Sequence, residues 1–202
     1  MEPPPHLSPG DAVKAHLMDE ADMGRTLDRL ARQIVEHIDD AASPAEKLAV
    51  IGMQTRGVHL ARRLQERIEA FEGVRLPFGT LDATFYRDDF RLGPAAPVTA
   101  PTDIPFSLSG RRLVLVDDVI YTGRSVRAAL DALLDLGRPA SVQFLALIDR
   151  GLRELPVVAD FVGREVPTAP RERVRVRVME EDGVDGVWLV ETVQGSEFTV
   201  QG

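Results

Sequence analysis

The sequence predicts an α/β fold, a central parallel sheet flanked by helices, and three observations carry the prediction. Short apolar runs bounded by turn signals, at residues 48–53, 112–118 and 141–149, suit strands buried on both faces. Between them lie segments whose apolar residues recur at spacings of three and four, the mark of helices that pack by one side. The junctions are short and tight, as right-handed crossover units require.

Taken in order, residues 24–39 form the first predicted helix, with Leu27, Leu30, Ala31, Ile34 and Ile38 on one stripe and arginines and acids on the other face. After the turn "SPAEK", the run "LAVIGM" (48–53) reads as a buried strand that stops at Gln54, Thr55, Arg56 and Gly57. Leu60, Ala61, Leu64 and Ile68 mark a second helix, "PFGTLDATFY" a second strand, and residues 87–102, with three prolines, a long mobile stretch. "RLVLVDD" is the third strand. The third helix, 124–136, carries Val126, Ala129, Leu130, Leu133 and Leu134 and is ended by Gly137 and Pro139. "SVQFLALID" is the fourth strand, and "RERVRVRV" (171–178) alternates Arg173, Arg175 and Arg177 with valines, the period-two signature of a strand with one charged face.

Length and composition fit one domain: 202 residues, 44% hydrophobic and 28% charged. Residues 1–16, rich in proline at their start, read as a flexible N-terminal arm, and residues 181–202 as a C-terminal extension. There is no cysteine, and the four histidines (His6, His16, His37, His59) are too far apart for a local ligand set. No apolar run approaches the ~20 residues a membrane helix requires, and no secretory signal is visible, so the expected home is cytoplasmic. A net charge of -8 opposes non-specific nucleic-acid binding and confines any RNA contact to a local basic patch.

In open parallel sheets ligands sit at the carboxyl ends of the strands, which brings residues 54–57, 117–125 and 149–151 to one rim. Two adjacent carboxylates, Asp117 and Asp118, at the end of a buried strand are costly unless the strand opens onto something polar. Tyr121, Thr122, Gly123, Arg124 and Ser125 combine hydroxyls, a glycine and N–H groups at a helix N-terminus, which together make an anion site. The turn lacks the G-x-x-x-x-G-K-[ST] loop and the G-x-G-x-x-G fingerprint, so it suits one monophosphate. A phosphate cradle beside two acceptors for vicinal hydroxyls describes a ribose 5-phosphate. The plainer alternative is an acidic strand end that caps a neighbouring helix.

The run from Leu113 to Ser125, "LVLVDDVIYTGRS", resembles the phosphoribosyl pyrophosphate (PRPP) motif of type I phosphoribosyltransferases. With "TRG" at 55–57, "YRDD" at 86–89, "DIP" at 103–105, "LGRP" at 136–139 and "DRGLRELPVVADFVG" at 149–163, the order is similar to that of one family. That family, PyrR, comprises the bifunctional pyrimidine operon regulators and uracil phosphoribosyltransferases, and the similarity covers roughly residues 20–180. The resemblance implies a type I phosphoribosyltransferase fold over residues 17–180, with a small hood at about 149–180.

It also implies a reaction, uracil and PRPP giving UMP and pyrophosphate, assisted by Mg2+ held through PRPP and by Asp117 and Asp118. Those two carboxylates and Arg56 are then the catalytic residues. Thr55, Arg56 and Gly57 go to the pyrophosphate; Val119, Ile120, Tyr121, Thr122, Gly123, Arg124 and Ser125 to the ribose phosphate. Tyr86 and Arg87 form the base of a flexible loop that closes over PRPP, and Arg150 opens the hood whose backbone reads uracil. A regulator of this kind would bind pyrimidine-operon leader mRNA in response to UMP, through Arg25, Arg29, Arg32, Arg153, Arg173 and Arg175, and would assemble as a homo-oligomer, a dimer or larger. The competing expectations are transfer to another base, orotate or a purine, or a UMP-sensing RNA-binding regulator with vestigial catalysis.

Four positions depart from the pattern. Gln54 stands where the family usually has lysine, which removes a positive charge from the pyrophosphate loop, and Leu152 replaces the histidine of "RGHRE". In the first helix Asp28 adds a negative charge and Arg32 replaces a histidine. Trp188 is expected to cover the core edge, and His37 and His59 to lie off the rim.

Overall fold

The computed structural model describes residues 11–36, 44–86 and 101–192. Five strands form a parallel sheet: β2 (Leu48–Met53), β3 (Phe78–Leu81), β4 (Arg112–Ile120), β5 (Ser141–Asp149) and β6 (Phe161–Glu165), in the spatial order β3-β2-β4-β5-β6. Helices α1 (Glu20–Glu36) and α3 (Arg56–Glu72) cover one face and α4 (Arg124–Leu136) the other, while α2 (Pro44–Lys47) is a single turn before β2. Leu27, Leu30 and Ile34 of α1 and Leu60, Leu64 and Ile68 of α3 pack on Val50, Val114, Val116, Leu145 and Leu147. Val126, Ala129 and Leu133 of α4 pack on Ile51, Leu113, Leu115, Phe144 and Ala146. Consecutive strand residues thus feed two separate cores, which is why these strands read as unbroken apolar runs.

A second sheet of three antiparallel strands, β1 (Asp11–Met18), β8 (Gly186–Thr192) and β7 (Glu172–Arg177), in the order β1-β8-β7, lies beside the first and forms the hood. This corrects three boundaries. Residues 11–16, read as part of a flexible arm, form most of β1, because β8 pairs with it along its length, with irregularities at Lys14 and Leu17, and the Lys14 ammonium bonds the buried Glu172 carboxylate. Residues 186–192, read as part of an extension, are the central strand of the hood. Residues 161–165, read as hood, pair with β5 in the main sheet instead. Residues 1–10, 37–43, 87–100 and 193–202 are not described, so Arg87, His37 and Ile38 lie outside the described residues.

Local chemistry explains the remaining shifts. Helix α1 starts at Glu20, four residues before the expected position, because Asp19 caps it: the Asp22 N–H donates to Asp19 Oδ1 at 2.7 Å and the Asp19 N–H to Asp22 Oδ2 at 3.4 Å. Strand β3 ends at Leu81 rather than running to Tyr86, because the Asp82 carboxylate accepts the Thr84 N–H at 2.8 Å and turns the chain into a short 3-10 helix, Thr84–Tyr86. Strand β4 does not stop at the acidic pair. It continues to Ile120, whose register partner is Asp149, since β5 runs alongside for its whole length.

Trp188 is buried, with its ring stacked on His16 at a centroid distance of 4.9 Å. It lies opposite Arg175 in the β7–β8 ladder, so the arginine-bearing face also shelters an aromatic side chain.

Candidate active site

The carboxyl ends of β2, β3, β4 and β5 carry two adjoining cavities. The first, about 450 Å³, is lined by residues 119–126 together with Glu154. It is built by the β4–α4 turn, where Gly123 takes φ 90° ahead of the first turn of α4. An added Cβ there would lie 3.4 Å from the Cβ atoms of Leu155 and Val157, an ordinary contact, so it is the backbone conformation that calls for glycine. The Thr122 carbonyl accepts the N–H groups of Glu154 and Leu155, each at 3.0 Å, tying the segment after β5 to the turn. The Arg124 Nε donates to Glu154 Oε2 at 2.7 Å across the cavity mouth.

The second cavity, about 220 Å³, is lined by Met53, Gln54, residues 81–84, Asp117, Asp118, Val119 and Ser125. Val119 and Ser125 border both. An anion cradle at a helix N-terminus therefore abuts a chamber carrying two carboxylates, the arrangement a ribose phosphate needs.

Within the chamber each carboxylate partly answers to its own backbone: Asp117 Oδ1 accepts the Asp118 N–H at 2.9 Å and Asp118 Oδ1 the Val119 N–H at 2.7 Å. Burial pushes the Asp118 carboxyl up from its ordinary value, and the nearby Arg56 guanidinium and the Val119 N–H pull the other way. Arg56 opens α3 and donates through Nε and Nη2 to both oxygens of Asp182, at 2.9 and 2.7 Å. The peptide between Gln54 and Thr55 is cis.

Gly57 allows α3 to start this close to β4. A Cβ on it would fall 2.5 Å from the Val116 carbonyl oxygen and 3.1 Å from Asp117 Cα. Gly57→Ala is expected to destabilise the protein by about 1–3 kcal/mol, the range for overpacking, and to displace the strand carrying Asp117. Urea unfolding measures it; an unchanged midpoint would mean that α3 can move away without cost.

Of the expected site residues, the structure brings Asp117, Asp118 and residues 119–125 to the two cavities. Arg56, on α3, lies near enough to Asp118 to act on its charge but lines neither cavity. Thr55 is exposed in the β2–α3 turn and lines neither cavity. Arg150 is buried behind the site: it donates to the Glu172 carbonyl at 2.6 Å and to Thr168 Oγ1 at 3.0 Å, and stacks at 4.0 Å on the Tyr121 ring. Tyr86 points elsewhere, its hydroxyl donating at 2.8 Å to Asp135 in the last turn of α4. Leu152 adopts φ 57°, a left-handed conformation in which histidine, asparagine and aspartate are enriched.

The expected RNA-facing arginines are dispersed and mostly engaged. Arg25 pairs with Asp22 at 2.5 Å, Arg29 donates to the carbonyls of Val162 and Gly163, and Arg32 lies 4.3 Å over the Phe71 ring. Asp28 is not an isolated negative charge, since Arg67 pairs with it at 2.7 Å. Arg153 is tied to Asp149 at 2.6 Å and to the Tyr121 carbonyl, at the start of the β4–α4 turn, and Arg175 to Asp11 at 3.2 Å. Arg173 is exposed on β7.

Sequence reasoning missed Asp182, Glu154 and the 82–84 segment. A carboxylate that meets its arginine 126 positions away leaves no local spacing to detect. Glu154 stood inside a quoted motif without a role, and residues 82–84 were assigned to a strand.

No helix among the described residues is long and apolar enough to cross a membrane. Residues 16–177 match the family model described as a phosphoribosyl transferase domain. The chain is 50% identical over 181 residues to the Bifunctional protein PyrR of Roseiflexus sp., covering 89% of this chain and 97% of that one. It is 52% identical over 178 residues to the protein of the same name from Thermus aquaticus, covering 88% and 96%. Among solved structures, a hypoxanthine-guanine phosphoribosyltransferase from Bacillus anthracis superposes with a TM-score of 0.65 at 18% identity, over 89% of this chain and 99% of that one, which shows the shared fold. With a type I phosphoribosyltransferase fold, the PRPP run at its rim and half of its residues shared with these relatives, the chain belongs to the PyrR family of phosphoribosyltransferases.

Proposed function

We propose that the protein transfers the phosphoribosyl group of PRPP to uracil, giving UMP and pyrophosphate. The observation that carries this reading is the pair of adjoining cavities, one an anion cradle at the head of α4 and the other lined by Asp117 and Asp118. The 5-phosphate occupies the turn of residues 121–125, the ribose hydroxyls donate to the two carboxylates, and Arg56 faces the pyrophosphate. The bond from the anomeric carbon to the pyrophosphate oxygen breaks as the bond to uracil N1 forms, and the N1 proton passes to water or to the departing pyrophosphate. The transition state resembles an oxocarbenium ion, so alignment and a stabilised leaving group matter more than a strong base.

A divalent magnesium ion fits this donor set. It favours oxygen and binds through one or two carboxylates plus substrate phosphates rather than in an all-protein cage. Asp117 and Asp118 supply such carboxylates, and among the described residues no larger cluster of His, Cys, Asp or Glu gathers. When bound with PRPP, the ion offsets the charge of the leaving pyrophosphate.

The relatives' name, "Bifunctional protein", supports a second activity, and the one the sequence resemblance implies is UMP-dependent binding of pyrimidine-operon leader RNA by a cytoplasmic homo-oligomer. Arg25, Arg29 and Arg32 on α1 and Arg173 on the hood are all exposed, and since the first three already contact Asp22, the Val162 and Gly163 carbonyls and the Phe71 ring, Arg173 is the arginine to test for a phosphate contact.

Purified protein with uracil, PRPP and Mg2+ is expected to form UMP, with orotate, hypoxanthine and guanine failing to compete. Turnover of one of those bases in preference to uracil would reassign the substrate. In the same preparation, RNA affinity is expected to rise with UMP and fall with salt, and Arg173→Ala to lower the salt slope by about one unit. RNA affinity that ignores UMP would remove the regulatory half.

A further inference from the structure

Arg56 opens α3 at the rim, and a two-bond pair with Asp182 fixes its guanidinium. Asp182 is itself held from other sides. Its Oδ1 also accepts from Arg177 Nη1 at 2.8 Å and its Oδ2 from the Val178 N–H at 3.0 Å. The side chain is only 6% exposed, so the charge exists there because these partners offset its lost hydration. Burial opposes ionisation, yet Arg56, the Val178 N–H and Arg177 together hold the carboxyl below its ordinary value.

The short helix α5 (Met179–Asp182) that carries Asp182 is anchored a second time. Arg63, two turns further along α3, bonds both Glu180 and Asp185, with contacts of 2.7 and 2.8 Å. Asp185 also accepts the Met179 N–H at 2.7 Å. Two arginines on one side of α3 thus clamp one acidic turn of the hood, and that turn delivers a buried carboxylate to Arg56.

We infer that Asp182 is a positioning residue for phosphoribosyl transfer: it commits the Nε and Nη2 groups of Arg56 and so presents the Nη1 edge to the pyrophosphate of PRPP. An arginine without this partner would have to surrender its rotamer freedom each time substrate binds. The inference rests on the reading of Arg56 as a pyrophosphate ligand. It goes beyond that reading by giving a role to a residue outside the segment, 16–177, that the family model matches.

The test separates ligands with and without pyrophosphate. Asp182→Asn, nearly isosteric, is expected to raise KM for PRPP and Kd for pyrophosphate by about tenfold, the lower end of what a charge-assisted bond is worth. UMP carries no pyrophosphate, and its Kd by calorimetry is expected to stay unchanged. In an Arg56→Ala background the Asp182 replacement is expected to add nothing further. Asp28→Asn, which breaks the exposed pair with Arg67 between α1 and α3 away from the rim, is the control, and KM for PRPP is expected to stay within roughly twofold.

Equal weakening of UMP and PRPP, or full additivity with Arg56→Ala, would reduce Asp182 to a residue that only holds the hood. An unchanged KM for PRPP would overturn the inference outright. Should Asp182→Asn not fold, Asp182→Glu keeps the charge but not the two-bond geometry, and the same selective loss is expected of it. Failure of the wild-type protein to make UMP would overturn the transferase reading instead, a result read independently of any Asp182 variant.

Discussion

Replacing Asp117 and Asp118 together by asparagine is expected to lower kcat/KM for PRPP by two to four powers of ten while leaving the fold as stable as before or more so. A hydrogen bond to an ionised acceptor is worth roughly 1.5–3 kcal/mol, and losing two such bonds to the ribose hydroxyls corresponds to about 3–6 kcal/mol of transition-state stabilisation. Stability moves the other way because these carboxylates are costly where they stand. Asparagine retains the carbonyl oxygen that accepts the Asp118 and Val119 N–H groups, so the local backbone keeps its partners.

The pH dependence gives the sign. Burial raises the Asp118 carboxyl in the folded protein. Below the ordinary carboxylate range the group is neutral in both folded and unfolded chains, and the favourable contribution of the neutral acid is complete. As pH rises through the raised folded value, that contribution is lost. The stabilisation from Asp118→Asn should therefore be absent in strong acid, grow across that interval and be complete at neutral pH. Wild-type kcat/KM should fall on the acid side with an apparent pKa above that of an ordinary aspartate, since the hydroxyl acceptor must be ionised. A double variant that unfolds, or one that keeps turning over PRPP, would mean that the pair serves the strand end and not the ribose.

The central sheet and its helices were legible because their rules are local. Leu60, Ala61, Leu64 and Ile68 repeat at helical spacing, and "LAVIGM" has no polar position, so each element announces its own burial. The turn of residues 121–125 was legible as a turn into a helix for the same reason: its hydroxyls, glycine and helix start are contiguous. The hood was not. Strand β1 alternates half-buried and exposed residues and gains its place only by pairing with β8, whose partner residues lie 169 (Met18 with Val187) to 181 (Asp11 with Thr192) positions away. Asp182 sits in an ordinary acidic turn and becomes part of the site only because Arg63 and Arg56 draw that turn onto α3. Tyr86 is the last described residue before the stretch 87–100, and its hydroxyl donates to Asp135, a partner 49 positions away that no local motif announces.

Thr122→Ala combined with Ser125→Ala is expected to weaken PRPP and UMP together, each by two to four powers of ten. Both ligands carry the 5-phosphate, and each lost bond to that charged group is worth about 1.5–3 kcal/mol. The fold should tolerate the change because the Thr122 carbonyl, not its hydroxyl, accepts the Glu154 and Leu155 N–H groups that dock the segment after β5 onto the turn. The hydroxyl makes only a long contact, 3.4 Å, with the Arg124 N–H. Gly123 keeps its left-handed turn in the variant, so the N–H groups at the head of α4 remain aimed at the cradle and leave residual affinity. Calorimetry with UMP and with PRPP reads both losses against a thermal unfolding control. Loss of PRPP with UMP retained would place the pyrophosphate, not the 5-phosphate, at the head of α4, and the orientation of substrate across Asp117 and Asp118 would have to be reversed.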